Sequence, residues 1–183
     1  MTKLQQISLY AVVAILAVAA GLLLHGQLTR SNSQPGDIVG GANNGAETIL
    51  MASLPDLQGT TQPISQWQGK VMVINFWATW CGPCREEIPE FIELQKRFSG
   101  QGVVFIGIAV DQKEKVAAFS KEIGINYPVL VGGMNAMALA GAAGNPQGAL
   151  PFTVVIDRGG KITGTKLGRL SQSKLESMLK PLL

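Results

Sequence analysis

Eighteen residues from Ile7 to Leu24, ISLYAVVAILAVAAGLLL, carry no charge and are apolar or small around the whole circumference of a helix. At 1.5 Å rise per residue such a helix spans about 27 Å, close to the roughly 30 Å hydrocarbon core of a bilayer. The pattern predicts a transmembrane anchor over residues 1–24. Ala17-Val18-Ala19 resembles a signal-peptidase site, but the apolar run continues beyond it as AGLLL, which favours an uncleaved anchor. Residues 25–47, HGQLTRSNSQPGDIVGGANNGAE, hold five Gly and three Asn with no apolar period. They gain too little from burial to offset ordering and are expected to form a flexible linker, whose 23 residues reach roughly 25 to 30 Å as a coil.

From Thr48 the pattern becomes that of a globular domain, residues 48–183. TILMASL and TTQPIS on either side of Pro55 to Gly59 are expected to form a short hairpin, with Pro63 at an edge. Val71 to Phe76 is a continuous apolar run of the kind buried on both faces of a sheet. Helical spacing follows from Cys84 to Phe98: Ile88, Phe91, Ile92 and Gln95 share a broad face extended by Phe98, while Glu86, Glu87, Glu90, Glu93, Lys96 and Arg97 provide polar positions. Val103 to Val110 is a second buried strand, Lys113 to Ile123 a helix, and YPVLV at 127–131 a further strand. Met134 to Ala143 forms a short helix ended by Gly144-Asn145-Pro146, with Met134 and Met137 expected on its core face. Phe152 to Ile156 and Lys161 to Lys166 flank DRGG as an antiparallel hairpin, and a helix over Leu170 to Leu182, capped by Ser171 or Ser173, closes the chain. The alternation implies an α/β fold with a mixed sheet covered by helices.

Composition narrows the chemistry. At 183 residues the chain holds one domain and an appendage, and its net charge of +3 is scattered, which argues against a nucleic-acid groove. The single histidine, His25, precedes the domain, so no Ser–His–Asp set is available there. The glycine-rich stretch from Gly132 to Gly148 lacks the spacing of a phosphate loop or a dinucleotide turn. Lys3 and the terminal amine outweigh Arg30 and the mostly neutral His25 across the apolar run, which puts the N-terminus in the cytoplasm and the domain outside it.

The two cysteines stand at Cys81-Gly-Pro-Cys84, between the buried strand and the charged helix. A staple closing so short a loop stabilises little, and structural zinc wants four ligands where two are at hand. A reactive dithiol explains more. At a helix start, unsatisfied N–H groups and the positive dipole end favour the thiolate and lower the pKa of Cys81 below the roughly 8.5 of a free cysteine. Gly82 leaves room for an incoming disulfide, and Pro83 lacks only an N–H that the first turn leaves unused. Cys84, one turn inward, then resolves the mixed disulfide. No cofactor is needed, but the electrons come from another protein. A thiol oxidant or isomerase, a redox-dependent binding module or chaperone, and a peroxidase remain open beside a reductase.

The stretches FWATWCGPC, LPDLQG, VMVINFWATWCGPCREEIPE and LPFTVVIDRGGKI together resemble the membrane-anchored, extracytoplasmic thioredoxin-like disulfide reductases of the TlpA/ResA type, over about residues 50–182. The resemblance implies a thioredoxin-like three-layer α/β/α sandwich with an N-terminal β-hairpin. It also implies reduction of protein disulfides outside the cytoplasm, on a single-pass bacterial inner or plasma membrane protein supplied by a membrane dithiol donor. Pro151 matches the proline these folds hold in cis opposite the dithiol; cis costs proline roughly 0.5 to 1 kcal/mol and other residues about 2.5 to 4. Leu150 then presents backbone to an extended client, beside Trp80 as an apolar platform. Glu87 matches the family's active-site glutamate and is expected to move the proton of the Cys84 thiol, with a pKa raised by partial burial. Asn75 replaces the buried aspartate of cytoplasmic thioredoxins and cannot exchange a proton near neutrality. Pro89 matches a helix-kinking proline. Trp77, Phe76 and Phe152 are expected in or near the core and Trp67 on the surface.

A reporter enzyme that matures only outside the cytoplasm, fused after Leu183, is expected to be active. Activity from a cytoplasm-only reporter at the same place reverses the topology.

Overall fold

The computed structural model describes the backbone of residues 38–183, with side chains from Asn44 onward. The anchor predicted over 1–24 and the linker as far as Asp37 lie outside the described residues. No described helix is long and apolar enough to cross a membrane.

The chain opens with α1 (Ile38–Leu50), a hairpin of β1 (Ser53–Pro55) and β2 (Thr61–Pro63), and a 3₁₀ turn at Ile64–Trp67. The main body runs β3 (Val71–Trp77), α2 (Gly82–Phe98), β4 (Val103–Ala109), α3 (Lys113–Ile123), β5 (Val129–Val131) and α4 (Gly133–Ala142). It closes with β6 (Phe152–Ile156), β7 (Ile162–Leu167) and α5 (Gln172–Leu179). Five strands form one sheet in the order β5-β4-β3-β6-β7. Strands β3, β4 and β5 are parallel, and β6 runs antiparallel to both β3 and β7.

Both faces of the sheet are covered, which is why β3 and β4 are apolar nearly throughout and wholly buried. Val71, Val73 and Trp77 point to one face and pack with Ile88, Phe91 and Leu94 of α2, Val116 and Phe119 of α3, and Leu175 and Leu179 of α5. Met72, Ile74 and Phe76 point to the other, against Ile49 of α1, Ile64, and Ala136 and Ala140 of α4. The result is the helix–sheet–helix sandwich of the thioredoxin-like fold, with the short hairpin as an added edge.

Three expectations change. Residues 38–47, expected to be linker, form most of α1, and TILM continues that helix rather than starting a strand. Ala46, Ile49 and Leu50 are buried at helical spacing, a period obscured by the glycines and asparagines before them. Gly45 sits where a Cβ would lie 2.4 Å from the carbonyl oxygen of Ala142, so its lack of a side chain lets α1 cross the end of α4. Met134 is 80 % exposed and Met137 only half-buried, so the two do not form a core face; the alanines of α4 take that place. Helix α2 starts at Gly82 with Cys81 as its cap, where the helix start was expected, and runs through Pro89.

Gly45→Ala distinguishes a packed helix from a linker. Because the obstacle is backbone, the substitution is expected to destabilise the domain by about 1 to 3 kcal/mol. A free helix would instead gain roughly 1 kcal/mol from it. Urea unfolding followed by tryptophan fluorescence reads the sign.

Candidate active site

Strand β3, apolar but for Asn75, ends at Trp77, and the chain turns through Ala78, Thr79 and Trp80 into α2. Cys81 is the residue that caps α2, with extended backbone, and its Sγ accepts the N–H of Cys84 at 3.3 Å. A sulfur in that position sits among backbone donors at the positive end of the helix dipole, the environment that favours a thiolate. Cys81 and Cys84 are joined as a disulfide. Cys81 retains 6 % exposure while Cys84 is fully buried, so the outer sulfur alone meets a partner. Gly82 and Pro83 lie exposed over the first turn, and Trp80 stands 69 % exposed beside them.

The turn before Cys81 is pinned from the next strand. Both the hydroxyl and the backbone N–H of Thr79 donate to Asp111 Oδ2, and Gln112 N–H donates to Asp111 Oδ1 at 2.7 Å. Burial opposes ionisation of Asp111, but these donors outweigh it and hold its carboxyl below the usual carboxylate range. Asp111 stands two residues beyond the end of β4. Its link to Thr79 arises because β4 and β3 are parallel and end together.

Leu150–Pro151 is a cis peptide bond. Phe152 pairs with Phe76, so Pro151 emerges beside Trp77 at the end of β3 from which the chain runs on to Cys81. Leu150 is half-buried and packs against the cluster that contains both cysteines. The carbonyl of Pro151 already accepts the N–H of Gly168 at 2.8 Å.

Glu87 lies one turn beyond Cys84 on α2 and is fully buried. Its Oε1 accepts the side-chain N–H of Asn75 and its Oε2 the backbone N–H of Leu170, each at 2.8 Å. Burial pushes its pKa up to about 7, and the negative charge of Glu90 adds to this; the Leu170 N–H, the Asn75 amide and Arg169 pull the other way. At that value the group takes and gives a proton near neutrality. Glu90 continues the same contact, accepting from Arg169 and from the backbone N–H of Gln172 in the first turn of α5. Arg169 also pairs with Glu86 at 3.4 Å. Thr153, 1 % exposed, completes the buried polar set by accepting from Asn75 at 3.1 Å. The sequence reading did not single out Thr153, Leu170 or Arg169. A lone hydroxyl within the buried strand FTVVI was the available signal for the first.

Residues 47–165 match the AhpC/TSA family. The chain belongs to that family. A thiol-disulfide oxidoreductase ResA from Geobacillus thermodenitrificans is 33 % identical over 130 residues, covering 68 % of this chain and 72 % of that one. Another of the same name from Halalkalibacterium halodurans is 25 % identical over 171 residues, 92 % of this chain and 90 % of its own. A solved thiol:disulfide interchange protein of the thioredoxin family from Chlorobium tepidum superposes with a TM-score of 0.63 at 31 % identity, covering 72 % of this chain and 92 % of that one. With these relatives and the Cys81–Cys84 disulfide at a helix start, the chain is a thiol-disulfide oxidoreductase.

The raised pKa of Glu87 makes stability depend on pH. Between about 4.5 and about 7 the unfolded chain has released a proton that the folded one keeps, so stability falls as pH rises through this window and levels above it. The expected loss for the oxidised protein is on the order of 3 kcal/mol, and Glu87→Gln abolishes that contribution. Denaturant midpoints of both proteins across the window check it; parallel curves count against a buried, titrating carboxyl.

Proposed function

We propose that this oxidoreductase reduces disulfides of client proteins outside the cytoplasm, held at a bacterial inner or plasma membrane by residues 1–24. The observation that carries the reading is a dithiol at a helix start with a buried carboxyl, poised near neutrality, one turn below its inner sulfur. In the reduced enzyme the Cys81 thiolate attacks one sulfur of the client disulfide, forming a mixed disulfide and releasing the client's first thiolate, which takes a proton from water. Glu87 then accepts the proton of the Cys84 thiol, and the resulting thiolate attacks Cys81 Sγ. The second client sulfur leaves as a thiolate. The client has gained two electrons and the enzyme holds the Cys81–Cys84 disulfide. A membrane dithiol donor of two electrons resets it.

Trp80, Gly82, Pro83 and Leu150 form the client-facing surface, next to the buried Pro151. The exposed ring and the open first turn admit an extended chain, and the half-buried Leu150 lies at the same end of the sheet. A cytochrome c apoprotein, or another metal-centre protein whose cysteines must be reduced before loading, fits a reductase of this kind. The sequence relatives named as oxidoreductases and the low exposure of Cys84 support the reading.

Cys84→Ser in the full chain is expected to accumulate mixed disulfides through Cys81, which mass spectrometry identifies, while Glu87→Gln slows resolution on the order of 10²-fold. Absence of any trapped protein under conditions where the wild type turns over defeats the exchange mechanism, and unchanged resolution in Glu87→Gln removes the proton role. A strongly oxidising equilibrium potential, near the roughly −120 mV of a periplasmic oxidant, reverses the direction.

A further inference from the structure

Glu87 has to exist both as anion and as acid, yet the contacts around it serve the anion alone. Two N–H groups point at its two oxygens, from Asn75 and from Leu170. A carboxylic acid in the same place has an O–H to donate and finds two donors facing it. The Asn75 amide is lopsided in a complementary way. Its Nδ2 donates to both Glu87 and Thr153, while its Oδ1 is buried without a hydrogen-bond partner among the described residues.

We propose that Asn75 is a positioning residue whose amide turns over about its terminal torsion when Glu87 takes up a proton, with Thr153 reversing its hydroxyl from acceptor to donor. After the turn, Oδ1 stands where Nδ2 stood. It accepts the O–H of Glu87 and the O–H of Thr153. Amide nitrogen and oxygen are nearly the same size, so no other heavy atom moves. One end of the amide lacks a partner in either orientation, so that cost is of the same order in both and the contact with Glu87 decides.

The geometry also selects the oxygen that carries the proton. A backbone N–H cannot reverse, so Leu170 keeps Oε2 as an acceptor and the proton belongs on Oε1, opposite Asn75. Thr153 suits its part because a hydroxyl donates and accepts equally well. Its place is set by the register of β6 on β3, which pairs Thr153 with Asn75 on the face covered by α2. An ionised aspartate at position 75 only accepts and repels the Glu87 anion; an apolar residue does neither job. The other titratable and charged groups around Glu87 are Glu90 on its own helix, Arg169 from the segment after β7, Tyr127 before β5, and the Cys84 sulfur one turn earlier. None of these hydrogen-bonds Asn75 among the described residues.

The inference rests on Glu87 as a proton carrier, and its test needs no turnover. In the full chain, isotopically labelled and with the disulfide closed, the Glu87 carboxyl carbon reports its proton. Nuclear Overhauser effects from the Asn75 Nδ2 protons to the Thr153 methyl and the Glu87 γ protons report the amide. These effects are expected to be strong in the alkaline limb, to lose most of their intensity in the acid limb, and to share the midpoint of the Glu87 carbon. In Glu87→Gln they are expected to be independent of pH. Effects that stay constant while Glu87 titrates, or that keep their pH dependence in Glu87→Gln, overturn the proposal. A Glu87 with no role in resolution shows itself separately, as an unchanged resolution rate with the amide signals still following pH.

Discussion

A carboxyl group enclosed beneath the first turns of α2 is the constraint from which much of the architecture follows. Burying an unpartnered carboxylate costs several kcal/mol even after the protein relaxes, so Glu87 exists where it does only because two other segments bring donors to it. Asn75 comes from the centre of the sheet and Leu170 from the segment leading into α5. The same segment is then fastened a second time, through Glu90 to Arg169 and to the first turn of α5. The C-terminal helix is thus docked on α2 partly by the groups that prepare it for chemistry. Packing of Leu175 and Leu179 into the core beneath supplies the apolar share of that docking.

The outer sulfur is prepared by different means. Its surroundings are set by where β3 stops and α2 starts, and the parallel partner β4 ends at the same level, which lets Asp111 hold Thr79. The hydroxyl and backbone N–H of Thr79, held by the Asp111 carboxylate, therefore fix the turn, while the helix dipole acts on the sulfur. The division is physically sensible: a nucleophile gains from electrostatics and access, and a proton carrier gains from enclosure. Cys81, Cys84 and Glu87 supply both environments because about two turns lead from the cap of α2 to its enclosed interior.

Much of this was legible along the chain. Continuous apolar runs located β3 and β4, since strands buried on both faces admit little else. The antiparallel β6–β7 hairpin and the dithiol at the helix start were visible from turn residues and spacing alone. Resemblance to a known family then carried Pro151 and Glu87, where spacing by itself could not separate Glu87 from its neighbours Glu86 and Glu90. The structure separates them by burial. Helix α1 was missed because glycine and asparagine lower helix propensity, and only tertiary contact, with Gly45 lying against the end of α4, shows why a helix forms there. Met134 was misplaced because alanine is small enough to serve as the core face of α4, freeing the longer side chain for solvent.

Sequence by itself determined the reactive pair, the α/β alternation and the two strands buried on both faces, because these depend on neighbours within a turn, on a period of 3.6 residues or on an unbroken apolar run. Tertiary structure alone decided which glutamate is enclosed, that Thr153 and Leu170 complete its surroundings, and that Asp111 governs the turn before Cys81. Those partners lie far along the chain and meet only through strand register and helix docking. Hydrogen bonds and burial depend on distance in space, and no local pattern of residues records it.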